Sequence, residues 1–140
     1  MFGVEVNYLS VFMAGVVAMA VSVAWYSPLL FAKPWLTAMG SSEQQLKKRK
    51  TQVNIGRAYG LTFLTTLLMA FVLSVCIGYV DAMTIVEGAV VGFWLWLGFV
   101  ATTLAATALF QGQPLLLYVI NAGQKLVALA IMGAILAVWR

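Results

Sequence analysis

Tyr118, Asn121 and Lys125 recur at i, i+3 and i+7, a spacing that places them on one face of an α-helix. Ala122, Ala128 and Met132 fall on roughly the same face, and Gln124 sits beside it. The stretch that carries them, LLLYVINAGQKLVALAIMGA, is otherwise apolar and long enough to cross a bilayer. An ammonium group in such a segment could bind an anion, hydrogen-bond across helices or form a Schiff base. The last normally needs an intramembrane counter-ion. Glu87 is the nearest carboxylate by depth, and it is displaced about 18 Å along the helix axis from Lys125. That leaves anion contact or hydrogen bonding. Lipid does not solvate lysine, so the stripe must face the helix bundle or a water-filled cavity.

No other constellation supports chemistry. The chain has no His and one Cys, Cys76, which rules out an intrachain disulfide, Cys/His zinc patterns and a His-ligated haem. It has no phosphate-cradling glycine loop, no nucleophile–base pair and no paired carboxylates. The expectation is a protein that is not an enzyme, with no catalytic residue, cofactor or metal. Cys76, inside an apolar run, is expected to be a small buried hydrophobe.

The positioning elements follow from composition. Of 140 residues, 64% are hydrophobic and 9% charged, with a mean hydropathy of +1.01. That belongs to an integral membrane protein. A net charge of +4 then points to anionic lipid headgroups and away from nucleic acid. Four stretches can span: residues 8–27, 59–80, 82–110 and 115–139. Tight turns at Asp81 and at residues 111–114 make antiparallel hairpins. The fold expected is all-α: a single transmembrane domain over residues 1–140, a four-helix bundle of two hairpins joined by loop 28–58. Within that loop, Pro34, Trp35 and Gly40 suggest a short interfacial helix, and Ser41 with Gln44 a capping box before a basic helix. No Lys or Arg precedes the first apolar run, so the first span is expected to be retained.

Six of the eight basic residues lie in this loop: Lys33, Lys47, Lys48, Arg49, Lys50 and Arg57. The positive-inside rule therefore makes the loop cytoplasmic and puts both termini outside. Counted from Pro114, Asn121 is about 10 Å and Lys125 about 16 Å from the cytoplasmic boundary. Thr66, Thr102, Thr103 and Ser22 come out near the depth of Asn121, so a polar site of Lys125, Asn121, Gln124, Tyr118, Thr66, Thr102 and Thr103 is expected. Gly88 and Gly92 form a GxxxG packing face, within the bundle or between copies. Trp25, Tyr26, Trp35 and Trp139 are expected interface anchors. Glu87 is expected to pair with Arg140.

Two motifs carry a resemblance: Trp-Tyr-Ser-Pro at residues 25–28 and Asn-Ala-Gly at residues 121–123. With the sequence around them, the chain resembles small bacterial membrane proteins catalogued as domain of unknown function seventeen-sixty-one. The resemblance spans nearly the whole chain and implies a four-span fold, but no activity and no established site. That family commonly has a Tyr-His-like pair where Gln124–Lys125 stands here. The function expected is that of a structural or accessory protein of the bacterial inner (plasma) membrane, acting through helix packing as a homo-oligomer or a subunit of a larger complex. The alternative is an oligomeric channel or transporter for an anionic solute, with a cytoplasm-facing vestibule around Asn121 and Lys125.

Overall fold

A computed structural model describes residues 4–25 and 55–139. The interfacial helix, the basic loop, Tyr26, Trp35 and Arg140 lie outside the described residues. All described regular structure is helical: α1 (Tyr8–Trp25), α2 (Ile55–Val80), α3 (Ile85–Leu95), a π-helical segment (Trp96–Ala101), α4 (Thr102–Gln111) and α5 (Leu115–Val138). The segment α3–π–α4 is one continuous span, so among the described residues four helices are long and apolar enough to cross a membrane. The second begins earlier than the sequence pattern suggests and the third later, at Ile85 after a cap.

Each end has a local cause. Asn7 Oδ1 accepts from the amides of Leu9 and Ser10 and starts α1. Thr84 caps α3: its hydroxyl accepts from the Glu87 amide, while the Glu87 carboxylate accepts from the amides of Met83 (2.7 Å) and Thr84 (3.2 Å). Glu87, expected to hold Arg140, thus serves its own helix start. Asp81 (φ 56°) makes the tight turn before α3, and Gly112 (φ 64°) ends α4 in the left-handed conformation that glycine adopts freely. Pro114 then caps α5.

The fourth span, α5, is the hub, packing on α3, α1 and α2. Between spans there is little hydrophobic driving force, so small residues that allow close approach hold a membrane bundle together. The contacts follow that rule. Gly88 and Gly92 of α3 lie against the backbone of α5 at Gly133 and Leu129, and Gly133 lies reciprocally against the Gly88 carbonyl. A Cβ on Gly88 would also stand 2.7 Å from that of Ala137. This glycine face is buried inside the chain, so it is not an exposed surface for another copy. On the other side, Ala14 and Ala18 of α1 join Ala70, Leu73 and Ile77 of α2 and Met132 and Leu136 of α5 in the core. The third span is the most exposed: 11% of its most apolar stretch is buried, against 39% for the fourth, so it offers most surface to lipid or partners.

Candidate functional site

The polar residues of α5 lie in its first half, and the helices around it receive them on several sides. The Tyr118 hydroxyl donates to the Ala101 carbonyl at the end of the π segment (2.9 Å). Gln124 is 2% exposed, and its Nε2 donates to the Ser22 hydroxyl on α1 (2.7 Å). Ser22 in turn donates to the Ala18 carbonyl (3.1 Å), so the pair is satisfied on both sides. Two tryptophans complete the arrangement. Trp25 Nε1 donates to the Ile120 carbonyl (2.9 Å), and Trp96 Nε1 to the Ala122 carbonyl (2.8 Å). A helix carbonyl has a second lone pair, so it can accept such a bond without losing its helical one. Four bonds thus clamp one two-turn stretch of α5 between α1 and the π segment.

Trp25 was expected as an interface anchor, yet it is half-buried with its indole tied into the bundle. The room for it comes from Gly123, where a Cβ would lie 3.3 Å from the Trp25 ring. The two sequence motifs therefore meet in space: Trp25 of the first rests on Gly123 of the second. Trp139 is exposed at the end of α5.

The threonines do not complete a polar site. Thr102 and Thr103 are exposed, and their hydroxyls donate to the Gly98 (2.8 Å) and Phe99 carbonyls of the π segment. Four-back bonding of this kind often bends a helix, and here it falls on the irregular turn. Thr66 donates to the Thr62 carbonyl (2.8 Å) and lies 4.0 Å from the Met19 sulfur. Their depth matches that of Asn121, but their hydroxyls serve their own helices. Asn121 and Lys125 are both half-buried. Among the described residues, no hydrogen bond or ion pair reaches the Lys125 ammonium, and no side-chain nitrogen or oxygen is both fully buried and without a partner. No cluster of three or more potential metal ligands occurs among the described residues. Sequence reasoning missed Ser22 as the Gln124 partner and Trp96 as a clamp. Matched depth could have suggested the first, and nothing in the pattern marked the second.

The Ser22–Gln124 bond gives an asymmetric prediction. Ser22→Ala leaves a buried amide without its acceptor and should cost about 1–2 kcal/mol. Gln124→Leu leaves only a hydroxyl that keeps its Ala18 bond, and should cost less. The double variant should be more stable than Ser22→Ala alone. Unfolding midpoints in mixed detergent check the order; equal losses for both single variants would contradict the pairing.

No curated protein and no solved structure shows a significant match to the chain. A family model described as "Protein of unknown function (DUF1761)" matches residues 9–137, which takes in all four spans but for one residue at each outer end, and both motifs. The chain, a multi-pass membrane protein by its four apolar helices, belongs to the DUF1761 family.

Proposed function

We propose that this is a structural or accessory protein of the bacterial inner membrane, acting through helix packing with further copies or with a larger complex and without catalytic chemistry of its own. One observation carries the reading: Tyr118, Gln124, Trp25 and Trp96 are all engaged in bonds that fasten α5 to its neighbours. Polar groups used this way stiffen a bundle, and these four are spent on packing. The basic loop faces the cytoplasm and anionic lipid, and both termini lie on the other side. The exposed third span, with Phe93, Trp94 and Phe99 outward, is the surface available for association.

A second reading rests on Lys125, whose ammonium has no partner among the described residues. In an oligomer it would sit at the bottom of a cytoplasm-facing vestibule and favour an anionic solute. Reconstitution separates the two. In native nanodiscs the protein is expected in assemblies larger than a monomer, and in liposomes both wild type and Lys125→Met should be as tight to chloride as empty vesicles. A strictly monomeric, partnerless protein would overturn the first reading. Chloride flux abolished by Lys125→Met would establish the second.

A further inference from the structure

Lys125 shares a face of α5 with Met132 and Leu136, further along the same helix. Those two are in the core, 0% and 1% exposed, whereas Lys125 is half-buried. One face thus runs from a closed core into an opening. The neighbouring helices open at the same level. On α2, Ala70, Leu73, Ser74, Val75 and Ile77 are buried, but no residue from 56 to 69 is, a stretch of about four turns. On α4 only Ala108 is buried. The end of α1 stays with α5 through Ser22 and Trp25, so it is α2 that leaves the bundle. The bundle is tight in the half nearer the Asp81 turn and splayed in the half nearer Pro114, and Lys125 lies where the two meet. A helical side chain leans toward the N-terminus of its helix, which for Lys125 is the open end.

The surroundings hold no counter-charge. Trp96, Tyr118 and Gln124 spend their hydrogen bonds on other partners, and Asn121 is engaged as well. Of the acids among the described residues, Glu5 precedes α1, Asp81 makes the turn and Glu87 caps α3, all at the other end of the bundle. Even Glu87 is remote: Gly88, beside it, meets Gly133, which lies about 12 Å beyond Lys125 along α5. Hydrocarbon does not solvate an ammonium, so water must follow it into the opening.

We propose that Lys125 binds a small monovalent anion at the closed end of this water-filled crevice. Charge sets the class. The cost of taking an ion out of water grows with the square of its charge, while its attraction to one ammonium grows only in proportion to it. A single unspent cation therefore suits nitrate, thiocyanate or a monocarboxylate and not sulfate. The negative charge comes either from a small solute or from the phosphodiester of an acidic lipid. The site is that of the second reading above, but binding needs neither an oligomer nor transport: Met132 and Leu136 close the far end within one chain.

The test uses full-length protein in phosphatidylcholine and in phosphatidylglycerol nanodiscs, with sulfate as the background salt. Exchanging sulfate for millimolar nitrate at constant ionic strength should raise the unfolding midpoint in phosphatidylcholine by several degrees, saturably. Lys125→Met should lose that rise and Lys125→Arg should keep it. A rise in both lipids assigns the anion to the solvent. A midpoint already high in phosphatidylglycerol and indifferent to nitrate, again only with a cation at this position, assigns it to the lipid phosphodiester. No rise in phosphatidylcholine, an equal rise in Lys125→Met, or an equal rise on added sulfate overturns the proposal. So does failure of Lys125→Cys, in a Cys76→Ala background, to react with a charged methanethiosulfonate, since the crevice is then dry. Flux is read separately: tight liposomes together with a nitrate-dependent midpoint retire transport and keep the site.

Discussion

Gly133→Leu is expected to lower the stability of the bundle by about 3 kcal/mol, the upper part of the usual overpacking range. The site gives the reason. At Gly133 a Cβ meets the carbonyl of Gly88, and at Gly88 a Cβ meets the carbonyl of Gly133. Both obstacles are backbone, which cannot rotate away as a flexible side chain would. The helices must separate, and α3 and α5 then lose the close contact on which membrane packing depends. Gly88→Ile should behave alike. The two together should cost less than their sum, since helices already pushed apart have little more to lose. Gly98 is the control: nothing lies within 4 Å of its hypothetical Cβ, so Gly98→Ala should change little or stabilise slightly. Unfolding midpoints in mixed detergent, read by near-UV circular dichroism, measure all four. A wild-type midpoint for Gly133→Leu would mean that the two helices do not meet there.

The four spans were legible because length and hydropathy are sufficient to define them. The role of Gly88 and Gly92 was half legible: the spacing marks a close contact but cannot name its partner, and the partner proves to be Gly133, Leu129 and Ala137 of the same chain. The polar stripe fared differently. A periodicity argument assumes that a helix has one buried face, whereas α5 is surrounded. Gln124, placed beside the stripe, is its most buried polar residue and points to α1, while Tyr118 points to the π segment. Thr102 and Thr103 lie at the expected depth but at the wrong azimuth, because depth counts residues along the axis and says nothing of rotation about it. The π turn adds to that error. It inserts an extra residue into the helical register, and WLGFVA carries no residue that announces it.

Lys125→Met is expected to raise stability, by on the order of 2 kcal/mol. A lysine at a span centre costs about 2.5–3.5 kcal/mol on insertion scales. Its partial exposure recovers some of that, and methionine fills similar space without a charge. The sign follows from the surroundings: among the described residues nothing bonds the ammonium, so its removal leaves no orphaned acceptor. This distinguishes Lys125 from Gln124, one residue away, where removing the acceptor is costly. A residue whose loss stabilises is one that packing alone does not explain, the usual trade-off between stability and activity. Unfolding midpoints combined with the liposome assay then sort the roles. A higher midpoint with tight vesicles separates Lys125 from both transport and the clamp on α5. A higher midpoint with flux lost on substitution makes it a solute contact. A lower midpoint means that the ammonium is bonded inside the membrane, and its description as unpaired falls.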